Sequence, residues 1–482
     1  MLFNSLAFAI FLPLVWIAYY STYGALRTRA LLGASLFFYG WWRVEYVPIM
    51  VASAAFDYIL GRAIEGSNSH ARRRELLVLS VASNIAVLIY YKYLGMFSEW
   101  YVMVALHWDN SLLPPIVDLM MPIGISFHRF QGQGYVMDVF RKQIKAERSI
   151  EKFLLFIFYF PQLVAGPIER ASHLLGQLHG NHVFRSQEFR RGFGLMLIGF
   201  AKKVVIADRL APAIMFAYSE PAARNPLSLL FATYMFAFQI YCDFSGYSDI
   251  ARGVSRTLGI DLMKNFNQPY LATSISDFWR RWHISLSTWF KDYLYFPLGG
   301  NRVSTVVWVR NIFVVFIFSG LWHGANITFV IWGALHAVYM VGERFGARVF
   351  TTIYSCVENS VGKMFADWVA RAFVFHLVTF AWIFFRAKNF DDAWNVVSKI
   401  ANLRHAGQEI LGTSLHMFGQ DASAIDKAAL AASLILLWLP LLHMVQNKLD
   451  EWKRWRVLYA FLVAFILFFG VFVEQSFIYF QF

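Results

Sequence analysis

Apolar runs suited to the interior of a lipid bilayer recur from one end of the chain to the other, for example at residues 2–20, 76–91, 153–164 and 457–473. A helix that crosses the hydrocarbon needs roughly 20 predominantly apolar residues. On that length rule the reading is an all-α integral membrane protein with about ten to twelve transmembrane helices. Composition agrees: 58% of the 482 residues are hydrophobic and only 15% charged, where soluble domains carry about 25% charged residues. The run at 2–20 has no basic flank or small-residue cleavage site and reads as a retained first span.

The net charge of +13 in a soluble chain would suggest nucleic acid. Here the basic residues sit between apolar runs, as in Arg72-Arg73-Arg74 and Lys202-Lys203, which suits cytoplasmic loops and anionic lipid rather than nucleic acid. Two isolated cysteines, Cys242 and Cys356, offer no disulfide framework. With no linker or internal repeat, residues 1–482 read as one membrane domain. It is interrupted by a polar surface segment at about 387–426, with a helical pattern at 393–403. Residues 276–295 form a second amphipathic stretch, with Phe278, Trp282, Trp289 and Tyr293 near one face, suited to the headgroup level.

Ionisable side chains inside apolar runs are costly and therefore mark candidate sites. From 303 to 341 the only charged residue is Arg310, and one straight helix of that length would rise about 58 Å against a hydrocarbon core of about 30 Å. The helix must break, and Gly320, Gly324 and Asn326 around His323 mark where. His323 reads either as a general base in a wet cavity or as a packing histidine bonded to a neighbouring carbonyl. His283 reads as a cavity-lining or an interfacial histidine, and His336 as a packing residue. Asp243 and Ser245 could wall a reaction chamber, whereas Asp249 with Arg252 fits a mutually neutralised i,i+3 pair. Glu169 and Arg170, after Gly166-Pro167, read as a helix terminus capped at the surface. No nucleophile elbow, phosphate loop or metal-ligand spacing is present.

Several strings together resemble the membrane-bound O-acyltransferase superfamily, in particular the bacterial branch containing the membrane subunit of alginate O-acetylation. They are Ser-Phe-His-Arg-Phe-Gln at 126–131, Phe-Pro-Gln-Leu-Val-Ala-Gly-Pro-Ile at 160–168, Asp-Phe-Ser-Gly-Tyr-Ser-Asp at 243–249, Phe-Trp-Arg-Arg-Trp-His-Ile-Ser-Leu-Ser-Thr-Trp at 278–289, Gly-Gly-Asn-Arg at 299–302 and Gly-Leu-Trp-His-Gly-Ala-Asn at 320–326. Where relatives tend to have a small or hydroxyl residue after the Phe-His or Phe-Tyr pair, this chain has Arg129, then Gly132 and Gly134.

The resemblance implies amphipathic or re-entrant helices around a central funnel, with His323 as the catalytic residue and His283 as a second site residue. Asp243, Ser245, Trp282, Trp322 and Asn326 are candidate lining residues of the substrate channel. It further implies acetyl transfer to an exported polysaccharide, alginate or a similar polymer, in the bacterial inner membrane. Acetyl-CoA is the implied donor, with no permanently bound cofactor and no metal. Implied partners are membrane lipid, an exported acetyltransferase and the polymer synthase. Peptidoglycan, cellulose or teichoic-acid-type acylation uses the same chemistry, and a secondary transporter is the rival from another class.

Overall fold

In a computed structural model of the chain, the structure describes residues 1–94, 97–98, 101, 122, 124–163, 166–180, 182–402, 439–447, 456–472 and 477–478, and every regular element among them is helical. The chain divides into two compact units, residues 1–193 with 251–263 and residues 194–250 with 264–482. Five described helices are long and apolar enough to cross a membrane: Tyr46–Gly66, His70–Tyr93, Pro226–Thr257, Thr305–His323 and Lys363–Arg386. Leu6–Ser21 and Tyr459–Phe469 are shorter apolar helices.

The first unit contains α1 (Leu6–Ser21), α2 (Gly24–Gly40), α3 (Tyr46–Gly66), α4 (His70–Leu88), α5 (Ile125–Phe140), α6 (Ile150–Phe158) and α7 (Ala171–Leu178). The run at 153–164, expected to span, is instead α6 followed by a short turn of helix at Phe160–Leu163. Pro161 is the cause: it has no N–H to donate to the carbonyl of Ile157 and its ring would crowd that carbonyl, and the chain leaves helical backbone at Tyr159 (φ −51°, ψ 108°). The surroundings repair the break. The Phe160 amide donates to Ser35 Oγ at 3.2 Å, and the Phe156 carbonyl accepts from the side-chain amides of Gln131 at 2.8 Å and Gln162 at 2.7 Å. Glu169, expected at the surface, is buried and accepts from the Met263 amide while bonding His173.

Helix α8 (Ser186–Phe200) leads through a π-helical turn at Ala201–Ala207 into α9 (Asp208–Ser219) and α10 (Pro226–Thr257). The second unit continues with α11 (Ile275–Arg281), α12 (Ile284–Phe290), α13 (Thr305–His323), α14 (Ile327–Phe345), α15 (Ala347–Val361), α16 (Lys363–Arg386), α17 (Phe390–Ala401), α18 (Leu439–Asn447) and α19 (Arg456–Phe469). The expected amphipathic helix at 276–295 is divided at Trp282–His283, and its four aromatic residues are buried in protein rather than placed at a headgroup surface. The helical pattern at 393–403 is realised as α17, and the polar segment beyond residue 402 lies outside the described residues.

The break expected between 303 and 341 falls at Gly324–Asn326, and α13 and α14 pack as a hairpin around it. Small residues let the two backbones meet, as is usual where helices pack in lipid. A Cβ on Gly320 would lie 2.2 Å from the Phe329 carbonyl oxygen, and one on Gly333 would lie 2.3 Å from that of Phe316. Gly333→Leu is therefore expected to destabilise the protein by about 3 kcal/mol through overpacking. Gly342→Leu, on the same helix with nothing within 4 Å of the new Cβ, is expected to change little. Unfolding midpoints of the two purified variants in detergent provide the comparison.

Candidate active site

His323 is the last residue of α13, and extended backbone at Gly324 turns the chain away immediately after it. Asn326 then opens α14: its Oδ1 accepts from the Thr328 amide at 3.0 Å, and its Nδ2 donates to the Lys388 carbonyl at 2.7 Å. The His323 ring stands edge-on to Trp322, Trp332 and Phe385, with centroid distances of 4.8, 5.2 and 5.1 Å. Of the three histidines singled out in the sequence, His323 retains the most accessible surface, 8% against 1% for His283 and 0% for His336.

His283 adopts left-handed backbone with φ +43°, a conformation costly for a residue with a β-carbon. Asn265 holds it there. Its carbonyl accepts the Ile284 amide at 2.9 Å, and its Oδ1 faces His283 Nδ1 at 3.1 Å, Ser285 Oγ at 2.9 Å and the Ser285 amide at 3.3 Å. Asn265 Nδ2 donates to Ser248 Oγ at 3.3 Å, so both ends of the amide have matching partners. An acceptor oxygen opposite Nδ1 requires a proton there, which leaves the neutral imidazole lone pair on Nε2. The interfacial reading of His283 is thus replaced by a buried one.

The indole of Trp322 lies against both histidines, 6.2 Å from the His283 ring and 4.8 Å from that of His323. Phe244 stands edge-on to His283 at 4.6 Å, and Trp282 stacks on Phe278, with Phe266 edge-on and Trp382 tilted against it. His336 is separated from His323 by Trp332 and lies parallel to the rings of Phe278 and Phe316.

Beside this aromatic cluster lies a charged one. Gly199 and Gly246 let α8 and α10 approach closely, since a Cβ on Gly199 would lie 2.6 Å from the Gly246 carbonyl oxygen. The π-helical turn that follows brings Lys202 and Lys203 against α10. Lys203 Nζ lies 2.6 Å from Asp243 Oδ1 and 2.9 Å from Asp208 Oδ1, and the Ile478 amide donates to Asp243 Oδ2 at 2.7 Å. Lys202 pairs with Asp249 at 2.7 Å, and Gln446 donates to the same carboxylate at 2.9 Å. One expectation is corrected here: Lys202 and Lys203 are buried rather than in a cytoplasmic loop. Arg252 donates to the Leu262 carbonyl at 3.3 Å. Ser245 is buried on the same helix as Asp243.

Sequence reading missed Asn265, Trp332, Phe385, Lys203 and Asp208. Only the lysine carried a usable signal, because apolar residues flank it on both sides of the turn.

The profile of the membrane-bound O-acyltransferase family matches residues 120–387, which include both histidines. The chain is 39% identical to a probable alginate O-acetylase of Azotobacter vinelandii, over 82% of this chain and 77% of that protein. It is 33% identical to a peptidoglycan O-acetyltransferase of Helicobacter pylori, over 88% of this chain and 82% of that protein. It is 29% identical to a teichoic acid D-alanyltransferase of Bacillus subtilis, over 57% and 71% respectively. The family match, with relatives of this similarity along most of the chain, establishes that the chain belongs to the membrane-bound O-acyltransferase family and is an acyltransferase.

Proposed function

We propose that this protein is an O-acetyltransferase that moves an acetyl group from a cytoplasmic donor across the bacterial inner membrane for O-acetylation of an exported polysaccharide, alginate or a close analogue. The observation that carries the reading is the histidine at a helix break, set in an aromatic wall, in a chain similar along most of its length to named acetyltransferases. In this reading residues 1–482 form one membrane domain of ten to twelve helices around a funnel. Asp243, Ser245, Trp282, Trp322 and Asn326 belong to its lining or its frame. Acetyl-CoA is the donor, and an exported acetyltransferase and the polymer synthase are the partners.

His323 takes the proton of an acceptor hydroxyl as that oxygen attacks the thioester carbonyl. The tetrahedral intermediate collapses, the C–S bond breaks, and the thiolate leaves with the proton held by His323. The products are an ester and a thiol. His283, with its lone pair on Nε2, orients the donor by accepting from an amide N–H of its pantetheine arm. The tautomer argues against its stabilising an oxyanion, which needs a donor. Asn265→Ala, which frees that tautomer, is expected to lower transfer on the order of 10- to 10²-fold, measured as initial rate against wild type in matched membranes.

Peptidoglycan O-acetylation is the second reading, favoured by the Helicobacter pylori relative's alignment over 88% of this chain. Ester content of exported polysaccharide and of peptidoglycan, in cells lacking this chain and in complemented cells, separates the two. Loss of ester from the polysaccharide alone supports the first reading, and loss from peptidoglycan alone supports the second. Unchanged ester in both refutes the proposal.

A further inference from the structure

The first unit contains a cavity of about 230 Å³ for which the acyl chemistry has no use. Its walls include Gly24 and Ala25 from the first turn of α2, Arg27 two residues further, Lys152 from the first turn of α6, and His179 and His182 beyond α7. Arg27 is 8% exposed. Its Nε donates to the Thr22 carbonyl at 2.8 Å and its Nη1 to the His182 carbonyl at 2.7 Å, and the rings of Tyr19 and Tyr23 lie 4.9 and 5.3 Å away. Among the described residues no carboxylate pairs with this guanidinium, and a buried charge without a counter-ion is costly. The one carboxylate in the wall, Glu151, is turned to Arg29 at 2.9 Å. Lys152 Nζ lies 2.7 Å from His179 Nδ1, and that ring bonds Glu147 through Nε2 at 2.7 Å. No side chain caps the N-terminus of α2, which leaves its first amides as further donors.

The surrounding face is strongly basic. Arg72, Arg73 and Arg74 open α4, and Arg141, Lys142, Lys145 and Arg148 follow α5. Cross-links join these ends: Arg73 donates to the Phe140 carbonyl at 2.6 Å, and Arg148 pairs with Glu65 at 2.7 Å. The connection at the other end of α2 carries only Arg43 and Glu45. Lys and Arg accumulate on cytoplasmic loops, which puts the cavity on the cytoplasmic side. Its volume lies below the roughly 300–1,000 Å³ of pockets for drug-sized ligands and suits a headgroup rather than a nucleotide. Exposed Tyr23 and Leu26 beside it offer apolar surface for acyl chains.

We propose that this cavity binds the phosphate headgroup of an anionic lipid of the cytoplasmic leaflet, with Arg27 and Lys152 as its counter-charges. Free phosphate shares the chemistry, and the test separates the two sources. The purified full chain is reconstituted with phosphatidylglycerol and phosphatidylcholine, returned to detergent, and analysed by native mass spectrometry for retained lipid. Wild type is expected to keep phosphatidylglycerol in preference to phosphatidylcholine, and millimolar inorganic phosphate is expected not to displace it.

Arg27→Gln is expected to lower that retention about tenfold. Ala25→Glu gives a readout free of folding effects, because it introduces a carboxylate at an exposed position where the helix dipole favours one. It too is expected to cost about tenfold in retention, with the unfolding midpoint unchanged. Equal retention by Ala25→Glu and wild type would overturn the proposal, as would no lipid preference in wild type. Displacement by inorganic phosphate would overturn the lipid assignment. Acyl transfer does not enter the readout, so the result stands apart from the proposed function.

Discussion

His323→Gln is expected to lower acetyl transfer on the order of 10²- to 10⁴-fold while leaving the protein folded in the membrane. Glutamine keeps much of the volume and hydrogen-bonding capacity of histidine, but an amide cannot take a proton near neutral pH. The edge-on contacts from Trp322, Trp332 and Phe385 hold the ring by shape, so the substitution removes the base with modest loss of packing. His323→Ala is expected to be equally inactive and somewhat less stable. A transporter that used His323 only to bind its cargo would keep partial function with glutamine. Ester formed per amount of folded protein in the membrane measures the difference.

Lys203→Met is expected to destabilise the protein by about 3–5 kcal/mol, the cost of removing one partner from a buried ion pair. Lys203 is the shared cation of Asp208 and Asp243, and both carboxylates are 3% exposed. Without it two anions face each other in protein with no counter-ion. Replacing both aspartates by asparagine in the Lys203→Met background is expected to restore most of the loss, because the remaining groups are neutral. Yield of folded protein and unfolding midpoint across the single and triple variants test this. Equal stability of Lys203→Met and wild type would show that the cluster does not hold α10 in place.

The parts of the site that could be read from sequence are those governed by local rules. The break at His323 follows from helix rise against bilayer thickness, and the structure puts it at Gly324–Asn326. The parts that could not be read depend on pairings between distant segments. Asn265 reaches His283 from an irregular stretch eighteen residues earlier, and nothing in its neighbours marks it as the residue that sets the imidazole tautomer. Asp249 pairs with a buried lysine 47 residues earlier in the chain, which its own neighbours do not announce. Lys202 and Lys203 were legible in principle: a basic pair with apolar residues on either side, treated like any ionisable group within a membrane, asks for a buried acid. In the apolar run at 153–164, hydropathy points to a span and Pro161 interrupts it.

Acetyl transfer that depends on His323 can be measured in inverted membrane vesicles from polymer-producing cells, supplied on their cytoplasmic side with acetyl-CoA labelled in its acetyl group. Alkali-labile labelled ester is expected on polymer inside wild-type vesicles, with a loss on the order of 10²-fold or more in His323→Gln vesicles holding the same amount of folded protein. Equal labelling in the two preparations, or no labelled ester in wild-type vesicles that still make polymer, would contradict His323-dependent acetyl transfer.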